Sequence, residues 1–166
     1  MPRCWLRFTP LSLLLLPAAA LFALVAALRR GLYRMGLLRS VRLPVPVIVI
    51  GNLVAGGTGK TPLVLWAARA LAAAGLHPGI VLRGHGARSG QSHAVGAGDD
   101  PAAAGDEALL LAGRAGCPVW VGRDRVAAAR GLLAAHPDCD VLLCDDGLQH
   151  YRLARDLEIA GRDGRG

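Results

Sequence analysis

The chain has 166 residues, 53% of them hydrophobic, which is enough for one domain with a core of its own. Its net charge of +7 favours an anionic partner. We expect no nucleic acid partner, because no zinc-finger or RNA-recognition pattern occurs. Five arginines instead follow a long apolar run directly, which fits anionic lipid headgroups better than a duplex. They are Arg29, Arg30, Arg34, Arg39 and Arg42.

The first predicted element is an apolar helix. No charged residue occurs from 8 to 28, and a helix of this length spans about 30 Å, the thickness of a bilayer's hydrocarbon core. A cleaved secretory signal and a buried core helix are the alternatives. We favour a membrane anchor for residues 1–43, with the following arginines keeping the rest of the chain at the cytoplasmic face. Pro17 leaves open both a spanning helix and one that lies in a single leaflet.

Residues 44–166 alternate between strand and helix patterns. The sequence predicts strands at 45–50, 79–83, 118–122 and 140–146 and from 157, and helices at 60–75, 104–116 and 123–136. The polar, glycine-rich stretch 83–100 predicts a loop. Strands that alternate with helices of this size indicate parallel βαβ units. We therefore predict an α/β fold of the P-loop NTPase type, with helices on both faces of a parallel sheet.

The sequence VIVIGNLVAGGTGKTPLVLW (47–66) indicates a phosphate-binding loop between a strand and a helix. The pattern G-x-x-x-x-G-K-[ST] fails only at its first position, where Val54 stands. Lys60 is the only lysine in the chain, and a compact ammonium fits between phosphates where a planar guanidinium does not. Thr61 offers a hydroxyl to Mg²⁺. We predict a nucleotide site rather than a plain glycine-rich turn, formed by Val54, Ala55, Gly56, Gly57, Thr58, Gly59, Lys60 and Thr61.

Three carboxylates are further candidates. Asp145 and Asp146 end an apolar strand, where P-loop proteins place a second Mg²⁺ ligand, although a turn is the alternative. Together with Lys60 and Thr61 upstream, the pair favours a metal site, and either carboxylate could contact the ion. Asp106 precedes an apolar helical run. It fits a first-turn carboxylate that stabilises the helix dipole or a general base for phosphoryl transfer, and spacing alone favours the first.

Three segments carry a resemblance to a known family. VPVIVIGNLVAGGTGKTPLVLW, GDEALLL and DDGLQHYRLARDLEI occur in this order behind an apolar N-terminus with basic flanks. They resemble the tetraacyldisaccharide 4'-kinases, the lipid A 4'-kinases of Gram-negative bacteria. The block DDGLQHYRLARD is highly specific, and the phosphate loop without its first glycine is the family's own form. The resemblance extends to about Ile159.

The resemblance implies a P-loop enzyme that binds ATP and Mg²⁺. The enzyme would transfer the γ-phosphoryl group to the 4'-hydroxyl of an acylated glucosamine disaccharide, at the cytoplasmic face of the inner membrane. Lys60 and Asp106 would be catalytic, with Asp106 as the base. Thr61 and Asp145 or Asp146 would organise the metal. Further side chains near the acceptor or other anionic groups would be Gln149, His150, Arg83 and Arg125.

The sequence also departs from the family. LRGHG (82–86) replaces a Ser-Arg-Gly-Tyr-Gly run, so that Leu82 and His85 stand for serine and tyrosine. Family members are longer and carry a second α/β lobe. We therefore expect residues 44–166 to be the nucleotide-binding lobe, with little activity alone. The alternatives are a product that binds ATP or membrane without catalysis, and a membrane-tethered P-loop ATPase. The DDGLQH block argues against the ATPase.

Overall fold

The computed structural model of the protein describes residues 10–52, 59–84, 92–145 and 150–161. The chain separates into two compact units, Met1–Ser40 and Val41–Gly166. The first unit contains helix α1 (Pro10–Arg34), which includes Pro17. The expected apolar N-terminal helix is thus confirmed. Its segment Leu15–Tyr33 is long and apolar enough to cross a membrane, but a signal sequence passes the same test, so the anchor stays a prediction.

The second unit contains a six-stranded sheet among its described residues, in the order β3-β4-β2-β5-β1-β6. The strands are β1 (Val47–Asn52), β2 (Pro78–Leu82), β3 (His93–Ala94), β4 (Val119–Val121), β5 (Val141–Asp145) and β6 (Leu157–Gly161). All neighbouring strands are parallel except β3 and β4. The predicted parallel sheet is confirmed. The prediction of a loop at 83–100 was wrong at β3, because two residues show no periodicity and this strand depends on its partner β4.

Four helices of the second unit are described: α2 (Lys60–Ala73), α3 (Pro101–Ala104), α4 (Asp106–Arg114) and α5 (Arg125–Ala135). The single helix predicted at 104–116 was wrong at its start. Asp100 caps the short α3 by accepting a hydrogen bond from the amide of Ala102 (2.9 Å). Gly105 then adopts φ 87°, a conformation that residues with a Cβ rarely reach, and α4 begins at the next residue.

Helices cover both faces of the sheet. On one face, buried residues of α2 and α4 pack against Ile50, Ile80 and Leu143, and on the other face α5 packs against Leu142 and Cys144. Successive side chains of a strand alternate between the two faces. The last residue of β5 therefore points to the same side as Leu143, toward α2 and α4. This alternation directs a buried carboxylate to the face on which the candidate site lies.

Candidate active site

A cavity lies at the carboxyl ends of β2 and β5, beside the first turns of α2 and α4. Four charged side chains line it: Lys60, Arg83, Glu107 and Asp145. The rest of its lining is Leu82, Gly84, Ala104, Gly105 and Ala108. In open α/β sheets, ligands bind in the crevice outside the carboxyl ends of the strands. The position and the charges of this cavity therefore mark it as the candidate active site.

Lys60 is the first residue of α2 and lines the cavity. Gly59 before it adopts φ 69° and ψ 19°, in the left-handed region that favours glycine. The first turn of α2 contains no acidic residue, so its N–H groups and the ammonium of Lys60 together favour an anion. The other residues of the predicted phosphate loop lie outside the described residues: Val54, Ala55, Gly56, Gly57 and Thr58.

The hydroxyl of Thr61 connects α2 to α4. Its Oγ1 donates a hydrogen bond of 2.7 Å to Oε1 of Glu107, in the first turn of α4. Sequence reasoning singled out Thr61 but missed Glu107. The available signal was the pair of neighbouring carboxylates in GDEALLL, of which it considered only Asp106. The hydroxyl of Thr61, which we predict as an Mg²⁺ ligand, thus contacts Glu107, and the carboxylate of Glu107 lines the cavity.

Asp145 ends β5 with only 2% of its surface exposed and lines the cavity together with Lys60. A buried carboxylate is costly unless positive charge or hydrogen bonds compensate it. Lys60 and a bound cation are both suited to that role. Its neighbour Asp146, the other predicted metal ligand, lies outside the described residues.

The oxygen donors around the cavity fit Mg²⁺. They are the hydroxyl of Thr61 and the carboxylates of Glu107 and Asp145. Mg²⁺ in phosphoryl-transfer sites is commonly held by one or two carboxylates and by the substrate phosphates, rather than by a cage of protein ligands. The described part of the chain holds no group of three or more His, Cys, Asp or Glu side chains that could bind a metal.

The remaining predicted residues lie in different surroundings. Asp106 begins α4 and is exposed, whereas its neighbour Glu107 lines the cavity. Arg83 is exposed at the cavity. His150 is half-buried, and Gln149 lies outside the described residues. The predicted base and acceptor residues therefore stay predictions.

Arg125 is 2% exposed and begins α5. Its Nη1 donates to the backbone carbonyl of Gly122 (2.7 Å) and its Nη2 to that of Asp145 (3.4 Å). These contacts secure the start of α5 to the end of β5. A structural contribution of this side chain is therefore visible, and its predicted contact with an anionic group stays a prediction.

The segment YRLARD (151–156) is fixed against the sheet. Leu153 is buried and forms a parallel bridge with Val41. Arg152 forms an ion pair with Asp124 (2.9 Å), and Asp156 accepts the amide of Val47 (2.9 Å). These contacts hold residues 152–156, the last part of the resemblance block, beside the sheet.

Known proteins are similar to this chain over nearly its whole length. A family profile described as LpxK, tetraacyldisaccharide-1-P 4'-kinase, matches residues 11–165. The chain is 59% identical over 159 residues to the tetraacyldisaccharide 4'-kinase of Azoarcus sp. (strain BH72), covering 96% of this chain and 47% of that protein. It is 55% identical over 164 residues to that of Herminiimonas arsenicoxydans, covering 99% and 46%. It thus spans about half the length of the curated relatives that it matches.

A solved structure has the same fold. The chain is similar to a crystal structure of LpxK from Aquifex aeolicus in complex with ATP, with a TM-score of 0.80 and 34% sequence identity. The match covers 88% of this chain and 47% of the other. At this identity and score, the two proteins share the P-loop type of α/β fold over most of this chain.

Proposed function

The chain belongs to the tetraacyldisaccharide-1-P 4'-kinase family, and on this premise we propose a lipid kinase function. In a protein of its relatives' length, it contributes the nucleotide site for transfer of the γ-phosphoryl group of ATP. The acceptor is the 4'-hydroxyl of a tetraacylated glucosamine disaccharide 1-phosphate. The observation that carries the proposal is the cavity that brings Lys60, Glu107 and Asp145 to the carboxyl ends of the strands.

Lys60 and the start of α2 stabilise the phosphates. The ammonium at the cavity and the N–H groups of the first helical turn supply positive charge where the transferring group becomes more negative. Because these groups are held in place before the reaction, little reorganisation is needed during it. In the proposal, residues 54–59, which precede Lys60 in the sequence, also bind the phosphates.

Three oxygen donors would hold Mg²⁺. In the proposal they are the Thr61 hydroxyl and the carboxylates of Asp145 and Glu107, with Asp146 as a further candidate. When bound, Mg²⁺ neutralises charge on the phosphate oxygens. The hydrogen bond of 2.7 Å from Thr61 to Glu107 holds the hydroxyl at the start of α2 and limits its rotation. Glu107 thereby positions Thr61 and adds a negative charge that favours a divalent cation.

Asp106 is the proposed base. Its carboxylate would accept the proton of the acceptor's 4'-hydroxyl while that oxygen forms its bond to phosphorus and the bond from phosphorus to ADP breaks. Its exposed position at the start of α4, next to Glu107 of the cavity, supports access from the acceptor side. Gln149, His150 and Arg83 are the proposed acceptor-side neighbours.

Helix α1 would anchor the protein at the cytoplasmic face of the inner membrane, where the lipid acceptor is found. Its apolar segment Leu15–Tyr33 and the arginines that follow support this location. Deletion of residues 1–28 should move the protein from the membrane fraction to the soluble fraction while nucleotide binding persists. An intact chain recovered wholly in the soluble fraction would exclude the anchor.

The decisive experiment is a transfer assay with γ-labelled ATP and the lipid acceptor. It compares the 166-residue chain with a version extended by the C-terminal half of the Azoarcus relative, and Lys60→Ala in the extended chain is the control. We expect the extended protein to label the lipid and the control to fail. We expect the chain alone to bind Mg²⁺-ATP weakly and to transfer at least about 10²-fold more slowly, because closure and positioning are incomplete. Hydrolysis of ATP without labelled lipid in the extended protein would favour an ATPase instead.

A further inference from the structure

Helices α2 and α4 lie side by side and are connected near both ends. Thr61 contacts Glu107 in their first turns, and Nη2 of Arg69 donates to the backbone carbonyl of Arg114 (3.0 Å) near the end of α4. Trp66 and Leu110 fall between these two connections, on the outward sides of the two helices. Trp66 is 66% exposed and Leu110 is 40% exposed. The two helices thus present a tryptophan and a leucine together to the outside.

The core of the domain does not require these two side chains. The inward sides of the helices already bury other apolar residues against the sheet: Val64, Ala67 and Ala68 on α2, and Ala108 and Leu111 on α4. Tryptophan combines a large apolar body with an N–H donor, a combination that suits the boundary between a bilayer and water. An exposed tryptophan and an exposed leucine on two connected helices therefore indicate a surface that another apolar phase covers.

The charges around Trp66 and Leu110 indicate which apolar phase covers this surface. Arg69 follows Trp66 by three residues and Arg114 follows Leu110 by four, so each arginine lies one helical turn beyond an apolar side chain. Both arginines are exposed. The acidic residues of these two helices, Asp106 and Glu107, lie at the cavity end, in the first turn of α4. Apolar groups bordered by guanidinium groups match the acyl chains and phosphates of anionic lipids.

We propose that the outer face of α2 and α4, formed by Trp66, Arg69, Leu110 and Arg114, lies on the surface of an anionic lipid bilayer. Trp66 and Leu110 enter the headgroup region, while the two guanidinium groups meet lipid phosphates. Lys60 precedes Trp66 by about 9 Å along the axis of α2, so the cavity would open close to the bilayer surface. The proposal depends on the composition of this Trp66 surface and is independent of phosphoryl transfer.

The test measures the fluorescence of Trp66 itself, because α1 could attach the chain to lipid whatever this surface does. The emission spectrum of the Trp66→Phe variant is subtracted from that of the intact chain. Vesicles contain phosphatidylcholine alone or with one-third phosphatidylglycerol, and brominated lipids serve as quenchers. We expect anionic vesicles to shift the emission of Trp66 to shorter wavelength and to quench it at least threefold more strongly than neutral vesicles.

Matched variants separate this surface from general adsorption. Arg69→Gln/Arg114→Gln should reduce the quenching at least threefold, while Arg130→Gln, on α5 at the opposite face, should leave it unchanged. Because Arg69 also donates a hydrogen bond to the backbone of α4, its substitution could disturb the fold. A thermal melting curve checks that the double variant is folded. Arg114→Gln alone, which keeps that hydrogen bond, should also reduce the quenching. In Trp66→Phe/Leu157→Trp, a tryptophan at an exposed position of β6 should be quenched much less.

Three results would overturn the proposal. The first is an equal response of Trp66 to neutral and anionic vesicles, or no response to either. The second is equal quenching of a tryptophan at position 157. The third is a Trp66 already shielded from a water-soluble quencher, without lipid, in a chain extended to the length of its relatives. That result would assign the surface to a protein contact instead.

Discussion

Two buried charges meet at the end of β5 and differ in what they face. Asp145 and Arg125 are each 2% exposed. Arg125, at the start of α5, directs its guanidinium to the backbone carbonyls of Gly122 and of Asp145 itself. The carboxylate of Asp145 lies on the other side of the sheet and lines the cavity with Lys60. Burial alone therefore does not distinguish a charge that binds the backbone from one that lines a cavity, whereas the surroundings of the charged group do.

The packing of the two faces differs in the same way. On the α5 face, a Cβ added at Gly79 would lie 2.7 Å from Leu132, and one added at Gly131 would collide with the ring of Trp120. At these two positions a Cβ fits only if Leu132 or the ring of Trp120 moves. At the carboxyl edge of the α2 and α4 face, Gly84 and Gly105 instead border an open cavity. Both faces carry a buried hydrophobic cluster, and the α2 and α4 face also leaves room for a ligand at its carboxyl edge.

The largest expected effect concerns Lys60, the lysine that lines the cavity on the open face, which is the α2 and α4 face. Lys60→Ala and Lys60→Arg, in a chain extended to its relatives' length, should each lower lipid phosphorylation by at least about 10³-fold, because positioned charge on the transferring group dominates such reactions. Arg130→Lys on α5 is the matched control and should keep full activity. Near-normal turnover by Lys60→Arg would show that the site accepts a planar cation, against the argument from a single lysine among arginines.

The second prediction separates the two buried charges. Asp145→Asn should lower turnover by about 10²–10³-fold and leave the free energy of unfolding nearly unchanged, because the amide fills the same space without the charge. Arg125→Met should lower the free energy of unfolding by about 2–4 kcal/mol, because two buried carbonyls lose their donors. Urea unfolding and the transfer assay measure both quantities. If Arg125→Met lost activity while keeping its stability, Arg125 would act on an anionic group, as the sequence predicted.

The sequence predicted those candidate residues that a local pattern marks. Lys60 and Thr61 follow a glycine-rich turn, and Asp145 ends an apolar strand, so local patterns with known chemistry identify them. Glu107 was missed because its contact with Thr61 depends on how α2 packs beside α4. The alternation of strands and helices predicted the α/β class. It did not predict the contacts between helices, such as the one between Thr61 and Glu107.

Local sequence patterns also miss the other differences. The two-residue strand β3 exists only through its pairing with β4. The helix break at Gly105 depends on one positive φ angle, which a run of small residues does not reveal. Whether Arg125 meets solvent or backbone is decided by the end of β5, 20 residues away. The pairing of β3 and the contact of Arg125 with Asp145 are tertiary effects that local propensity does not contain.

A substitution of Glu107 should have a smaller effect on turnover, and it tests whether a negative charge at the cavity supports Mg²⁺ binding. Glu107→Gln keeps an oxygen that accepts the Thr61 hydrogen bond but removes the charge beside the proposed metal site. We expect roughly tenfold lower turnover at limiting Mg²⁺, recovered in part at high Mg²⁺, since charge-assisted contacts are worth about 1.5–3 kcal/mol. Glu158→Gln, an exposed carboxylate of β6, is the control. An unchanged Mg²⁺ requirement would mean that Glu107 acts only by holding Thr61.

The smallest effect tests whether the α5 face is closed to water. Cys144 is 1% exposed on that face, and its burial raises the pKa of the thiol from 9.0 to about 11, although Arg125 and Arg155 oppose the shift. The unfolded chain then loses this proton at lower pH than the folded protein. The free energy of unfolding should therefore fall as the pH rises from about 9 to about 11.

Cys144→Ala should remove that part of the decline with pH, even though the substitution itself costs some stability. The quantity to compare is the slope of unfolding free energy against pH, from urea unfolding in steps between pH 8 and 11. Cys117, whose pKa burial also raises to about 11, is present in both proteins, so its contribution cancels. Equal slopes would mean that water reaches the Cys144 thiol. The α5 face would then be open to water at β5, the strand that carries both Cys144 and Asp145, and the contrast between the two faces would be wrong there.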